Sequence, residues 1–369
     1  MLTAAPVLSP RATIAIDQIY RLVDLAATAP SGDNLQPWMF VWDPGRSRLL
    51  LQVHPTRDLT VMNTGFRMAR IACGAALENI HQCAGAVGLI IEAEIFRSED
   101  SVELTLRSAD CCVEAAARVQ TVRNRVTNRK LYDARPLSGA ERRQLEQVAQ
   151  DTRPNPVETR FFFQGDQKAD LDRTIAAIDA TVFALKEMRE CLAEQVQQAP
   201  HASAESAHGM PIDALELGRL DRMSFRLLPK YPEWAMRSIL RGVSEGYAFD
   251  RLRSATGICL LTAPRHLRNA DLLAGRMFQR VWLAMTAMGL SVQPMMSAVG
   301  MQTFYRSSQE TIIERLNRWG APELLARLNT QAGIDDPSME IAGILRFGTA
   351  EPPTARTGRL HLDQLLTVI

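Results

Sequence analysis

The chain has 369 residues, 46% of them hydrophobic and 22% charged, and carries a net charge of +1 at pH 7. This is an ordinary globular composition for two domains or one large double unit, and a core of that size needs no staples. The near-neutral charge gives no electrostatic ground for a nucleic-acid or membrane partner, so any anion site has to come from local placement of Arg and Lys.

The amino terminus, MLTAAPVLSPRATIAIDQIY, lacks a basic leader and a long apolar core, which argues against a secretory signal. Apolar residues at helical spacing (Ile14, Ile19, Leu22, Val23, Ala26) predict a helix over 14–28, ended by Pro30. The turn APSGDNLQPW follows. Ser31, Asp33 and Asn34 are ordinary turn residues, but Gln36-Pro37-Trp38 places a polar side chain and an indole before a strand where Val or Ile would pack as well. Strands are predicted over 39–42 and 49–53, around the hairpin-type loop DPGRS. A helix over about 65–87 and the strands LIIEAEIF and VELTL complete this unit.

The pattern then restarts. SGAERRQLEQVAQDT reads as a helix with Ser138 at its cap position, ETRFFFQ and GICLLTAP as strands, 269–288 as a helix and EIAGILRFG as a late strand. GAALENIHQCAGAVG and GRMFQRVWLAMTAMG share the spacing of their glycines, a Leu after the last one and an apolar face. A tandem duplication explains this, although common helix patterning can produce the same look. The charge-free run 281–305 is broken by Gly289, Gln293, Pro294, Ser297 and Gly300, and reads as a buried helix, a strand and a loop rather than a membrane span. QQAPHASAESAHGMP, which contains Met210, is a small, polar loop. It leads into FRLLPKYPEWAMRSIL, where Phe225, Tyr231 and Trp234 sit between prolines. This insert over about 197–245 is either a lid over a site or a surface arm.

The six cysteines form no C-x-x-C pair, most lie in apolar runs, and they suit a reducing, cytoplasmic setting. The six histidines show no metal-ligand spacing, and no metal is expected; His201 and His208 lie in the polar loop and read as solvated. There is no G-x-S-x-G elbow, Walker loop or dinucleotide-binding G-x-G-x-x-G.

Three further stretches carry polar chemistry. In RNRVTNRKLYDARPL, Arg125, Thr127 and Arg129 alternate, so an extended segment would project all three to one side. Two guanidiniums and a hydroxyl suit a phosphate; the plainer alternative is a basic solvated linker. The tail LRFGTAEPPTARTGRLHLDQLL brings Arg356 and Arg359. GLSVQPMMS places Pro294, Met296 and Ser297 after a helix and strand, and is either a site loop or a Met-rich core turn.

Together these stretches resemble the nitroreductase family of flavoproteins. APSGDNLQPW resembles its APS-x-x-N-x-QPW motif, RNRVT-R its phosphate arm with the following D-x-R-P turn, GLSVQPMMS its loop beside the flavin ring, and the tail its terminal arginine. In that family a homodimer supplies these parts from two subunits. Here the first half holds the turn and the second holds the arm, the loop and the terminal Arg, which resembles the Acg-type subfamily in which one chain imitates the dimer. The resemblance implies an α+β fold: a nitroreductase-like mixed, mainly antiparallel sheet flanked by helices, duplicated in tandem over 1–118 and 119–369. It implies FMN held by Pro30, Ser31, Asn34, Gln36, Arg125, Thr127, Arg129, Pro294, Met296, Ser297 and Arg359, with Arg356 as the register alternative to Arg359. Ser31 and Asn34 would reach the ring or the ribityl chain, and a backbone N–H of Met296 or Ser297 would face ring N5. Trp38, Met210, Tyr231 and Trp234 are weaker expectations for a substrate pocket. The implied activity is hydride transfer from NAD(P)H to a small nitro, quinone or aromatic acceptor in a pseudo-dimeric monomer; the competing reading is a protein that stores FMN beneath a lid.

Overall fold

A computed structural model describes residues 13–133, 135–150, 156–197 and 207–369. The amino-terminal stretch up to residue 12, Ala134 in the D-x-R-P turn, most of the polar loop with His201, and the centre of the turn after the second-half helix lie outside the described residues.

The first unit runs α1 (Ile16–Ala27), β1 (Trp38–Asp43), β2 (Arg48–Val53), α2 (Arg67–Cys83), β3 (Leu89–Ser98), β4 (Ser101–Ser108) and α3 (Val113–Asn124). The second opens with α4 (Gly139–Gln150) and β5 (Glu158–Phe163). An insert follows: α5 (Asp166–Ala184), α6 (Lys186–Gln195), β6 (Val196–Gln197), β7 (Met210–Pro211), α7 (Arg219–Leu227), α8 (Glu233–Arg237) and α9 (Arg241–Arg253). The unit resumes with β8 (Gly257–Pro264), α10 (Ala270–Ala287), β9 (Ser291–Pro294), α11 (Ser297–Phe304), α12 (Glu310–Arg318), α13 (Ala321–Ala332) and β10 (Met339–Gly348). The chain ends in α14 (Leu362–Leu365) and β11 (Leu366–Val368).

The predicted elements form for the expected reasons. In β1, Trp38, Phe40 and Trp42 alternate inward. Throughout β8 every residue is buried, as suits a strand covered on both faces. Ser138 and Glu141 close a reciprocal box at the start of α4: the Glu141 N–H donates to Ser138 Oγ (3.2 Å) and the Ser138 N–H to Glu141 Oε2 (2.7 Å).

The fold is α+β. One sheet has the order β11-β1-β2-β4-β3, the other β5-β8-β10-β9. Every pairing within them is antiparallel except that of β11 with β1. Without β11, the two sheets have the same plan. In each, the fourth strand in chain order lies between the second and third, and the long helix follows the second strand.

Those long helices, α2 and α10, pack against each other between the sheets. At their crossing, a Cβ on Gly74 would lie 2.1 Å from Leu272 O, and one on Gly275 would lie 2.0 Å from Ile71 O. The contact is reciprocal: Gly74 and Gly275, and Ile71 and Leu272, exchange roles. The next turn repeats the relation. Glu78 accepts from Arg280 Nε and Nη2 (both 2.8 Å), and Gln279 Nε2 donates to Asn79 Oδ1 (2.7 Å). Such self-complementarity is the signature of a two-fold interface.

Three features depart from the sequence expectations. The run 281–305 ends in a helix, α11, not a loop; Val299, Met301 and Phe304 are buried against the insert helix α5, and this tertiary contact selects helix over turn. The chain end returns to the first sheet, pairing Phe40 with Leu366. The cysteines divide: Cys73, Cys83 and Cys259 are buried, Cys111 is exposed, Cys112 and Cys191 are between these, and all six are free. Among the described residues no helix is long and apolar enough to cross a membrane.

Candidate functional site

The turn after α1 is the most strained segment of the described chain. Asp33 (φ 46°), Asn34 (φ 58°) and Gln36 (φ 51°) all adopt left-handed backbone, which is uncommon for residues with a Cβ and needs external support. The Gln36 N–H donates to Ser31 Oγ (3.0 Å). Asn34 Nδ2 donates to Ala207 O (2.8 Å), Gly209 O (3.1 Å) and Gly358 O (3.2 Å), and Asn34 Oδ1 accepts from Arg359 Nη1 (2.9 Å). Gln36 Nε2 donates to Ala207 O (2.9 Å) and its Oε1 accepts from the Leu360 N–H (2.9 Å). Two buried amides thus fasten both the strap over 207–215 and the carboxy-terminal tail to the first unit.

A cavity of about 360 Å³ opens between the turn, the α2–α10 seam, the segment after α3 and the tail. One end is cationic. Arg125 Nη2 donates to Thr28 O (2.7 Å), its guanidinium lies 4.6 Å from the Trp282 ring centre, and its buried Nε has no partner. Arg359 donates to the last carbonyls of α1 and beyond, at Ala27 (2.7 Å), Thr28 (3.0 Å) and Ala29 (3.2 Å). Arg356 donates to Arg123 O (2.9 Å) and Asn124 O (3.1 Å). None of the three is ion-paired to a carboxylate among the described residues. Burial, and then the neighbouring Arg359 and Arg356, push Arg125 well below the usual arginine range; burial and Arg356 bring Arg359 down to about 10. Both shifts record buried positive charge without a carboxylate partner among the described residues.

The other end is acidic. Burial raises Asp33 to about 6; Arg129 opposes this and Asp58 adds to it. Asp58 is raised by burial, against hydrogen bonds that include one from Thr60 Oγ1 (2.8 Å). Arg129 is lowered by burial and held by Ala214 O (3.0 Å) and Met210 Sδ (3.3 Å). Between the ends, Ile71, Ala72, Ala75, Phe278 and Met296 give an apolar lining.

Of the residues singled out in the sequence, Pro30, Ser31, Asn34, Arg125, Thr127, Arg129, Met210, Pro294, Met296, Arg356 and Arg359 line this one cavity. Thr127 forms a parallel bridge to Val292 of β9, which is how the extended arm reaches the cavity. Five do not join the lining. Gln36 is fully buried as the clamp described above. Ser297 points its hydroxyl at Asp179 Oδ1 (2.5 Å). Trp38 is sealed in the first core, where the inward face of β1 packs with α1 and α2. The Tyr231 carbonyl accepts from Arg189 (2.6 Å), and Trp234 stands 66% exposed. Among the described residues, the insert touches the cavity at Met210 and Ala214 only. Asn34, expected to face a ligand, lines the wall with its amide already committed to the protein. The sequence reading missed Asp33 and Asp58 as cavity groups; the only available signal for Asp33 was an acid where the turn needs only a small polar residue.

No family model matches the chain, and no curated protein matches it. Among solved structures it is similar to the FMN-dependent nitroreductase NfnB from Mycobacterium smegmatis in complex with NADPH, at 18% identity and a TM-score of 0.38, covering 68% of this chain and 96% of that one. It is also similar to a nitroreductase with bound FMN from Desulfitobacterium hafniense DCB-2, at 12% identity and a TM-score of 0.37, covering 68% and 97%. A third likeness is to the FMN- and NADPH-dependent nitroreductase NfnB from sphigopyxis sp. strain HMH, at 14% identity and a TM-score of 0.38, covering 68% and 97%.

Proposed function

We propose that this chain is an FMN-dependent oxidoreductase of the nitroreductase type, a tandem, Acg-like polypeptide whose two halves enclose one flavin. The observation that carries the reading is the cationic end of the cavity. Arg125, Arg356 and Arg359 converge there without a carboxylate, and Arg125 leaves a buried N–H unanswered. A buried donor without a partner costs about 1–3 kcal/mol, and a phosphate monoester supplies the missing acceptor and charge. The remaining space suits the rest of the molecule: about 360 Å³ lies within the ~300–1,000 Å³ of small-molecule and cofactor sites, and its middle is apolar.

In this reading Arg125, Thr127 and Arg359 hold the phosphate, with Arg356 at the rim. Arg129 lies at the opposite end, where a cation favours an anionic ring edge. Pro294 and Met296, which lead into α11, line the wall, and a backbone N–H of Met296 or Ser297 serves as the donor to the ring. Asn34 acts by positioning Arg359 and the strap. The strap, through Met210 and Ala214, excludes water from that end. When bound, the flavin supplies hydride chemistry between NAD(P)H and a small nitro, quinone or aromatic acceptor.

A second reading, FMN storage, draws on one observation: the strap is already closed, fastened by Asn34 and Gln36. One experiment separates these outcomes. Purified protein is assayed for flavin content and then mixed anaerobically with NADH or NADPH while flavin absorbance is followed. One FMN per chain, bleached by either nucleotide, is the expected result. One FMN that resists both favours storage. A colourless chain that refuses added FMN, or one holding two equivalents, overturns the proposal.

A further inference from the structure

A second cavity, also of about 360 Å³, lies in the second unit between the end of α11 and one face of α13. It shares no lining residue with the first. Two side-chain amides line it, Gln302 from α11 and Asn329 from α13. Gln302 is only 6% exposed and its buried Oε1 has no hydrogen-bond partner; Asn329 Oδ1 is also buried and unanswered. Among the described residues neither amide nitrogen has a partner. A buried amide left open on both its donor and its acceptor side is rare in a folded chain, because each unmet group has given up water for nothing. The charge beside the amides is unbalanced as well. Glu340, 3% exposed, lines the cavity, and three guanidiniums converge on it: Arg306, Arg67 Nη2 (3.1 Å) and Arg265 Nε (3.6 Å). Arg67 has a second carboxylate in Asp271 (3.3 Å). Arg265 and Arg306, which line the cavity, have Glu340 alone among the described residues.

From the open amides and the unbalanced arginines we infer that this cavity is a second small-molecule site, built for a monocarboxylate with an apolar body and a hydroxyl or amino group. The carboxylate supplies the anion that Arg265 and Arg306 share too thinly, and a guanidinium is well shaped to hold it. The hydroxyl or amino group meets Gln302 and Asn329, since a primary amide offers both a carbonyl and an NH2. The body packs on Pro322, Leu325 and Ala326, which share the Asn329 face of α13 at helical spacing. The dimensions agree. Gln302 and Arg306 are four residues apart, about one helical turn or ~5.4 Å along the axis, close to the span of a benzene ring with substituents at opposite ends. A few convergent polar groups on an apolar wall are the usual make-up of a ligand pocket.

The test titrates three probes calorimetrically into the full chain in the presence of excess FMN. The first probe, 4-hydroxybenzoate, has every feature; benzoate lacks the hydroxyl, and 4-hydroxybenzamide lacks the charge. The complete probe should bind about tenfold more tightly than either of the others. Two variants place the binding. Gln302→Met keeps the volume and removes the open amide, so it should hold the thermal transition of the parent. Arg265→Gln changes an exposed side chain and leaves Arg67 and Arg306 on Glu340. Gln302→Met should cut the preference over benzoate, and Arg265→Gln the preference over 4-hydroxybenzamide, each to about threefold or less. No binding of 4-hydroxybenzoate, equal binding of the three probes, or either preference intact in its variant overturns the inference. Flavin content is read separately on the same samples, so failure here leaves the first cavity's assignment standing, and a chain that refuses FMN leaves these titrations unaffected.

Discussion

The α2–α10 seam and the cavity beside it are built by the same two units, yet they handle charge in opposite ways. In the seam, the cations have carboxylates. Glu78, fully buried, holds Arg280 and Arg276, and Glu94 holds Arg276 and His81. Contacts there are reciprocal, with glycine meeting backbone at both Gly74 and Gly275. In the cavity, three arginines meet backbone carbonyls and neutral side-chain oxygens but no carboxylate among the described residues, and an acid with a raised pKa sits at the far end. A symmetric seam needs nothing further, whereas unmatched buried charge marks the place where a partner is missing.

The largest effect should come from breaking the seam. Gly74→Ala and Gly275→Ala each drive a methyl into a backbone carbonyl on the opposite helix, so each should destabilise by more than the ~1–3 kcal/mol usual for overpacking. Because the contacts are reciprocal, the two losses should agree in urea unfolding; clearly unequal losses would break the two-fold reading. The next turn sharpens the point, since there the two helices carry different residues at matching positions. Glu78→Ala strands Arg280, while Arg276 keeps Glu94, and should cost about 3 kcal/mol; Gln279→Ala removes one neutral hydrogen bond and should cost about 1 kcal/mol. Equal losses would mean that the charged pair adds nothing beyond its neutral counterpart.

In the cavity, Arg125→Ala should weaken FMN binding by about 1.5–3 kcal/mol, the scale of a charged hydrogen bond. Unchanged flavin retention would remove the phosphate assignment. A smaller effect in the cavity concerns Asp33, whose carboxyl is pushed up to about 6 from its ordinary 3.8. The folded chain therefore binds this proton more tightly than the unfolded chain, and stability falls as pH rises through that window. Asp33→Asn should be more stable than the parent by about 1–2 kcal/mol at about pH 8, after allowance for solvent at the cavity, and the two should converge below about pH 4. Parallel pH profiles would show that Asp33 is not strained by ionisation.

Strands and long helices were legible in the sequence because their periodicity is local. Trp38, Phe40 and Trp42 alternate, and Gly74 and Gly275 fall at matching points of two similar helices. The arm was legible because alternation in an extended segment is also local. Trp38, Tyr231 and Trp234 were misplaced as pocket residues because an aromatic residue next to a turn has the same appearance whether it faces a core, a cavity or solvent. The insert helices α5 and α6, and the later α12 and α13, went unassigned.

The sequence by itself determined the α+β pattern and the strand and helix order that recurs in the two sheets, since each depends on residue type and spacing within a short window. Tertiary structure alone decided that Arg125 and Arg359 meet, that Asn34 and Gln36 clamp the chain rather than await a ligand, that the tail returns to the first sheet, and that Asp33 is held where ionisation is costly. Each of these depends on groups far apart in the chain being brought together and deprived of water, and burial of that kind leaves no mark on local spacing.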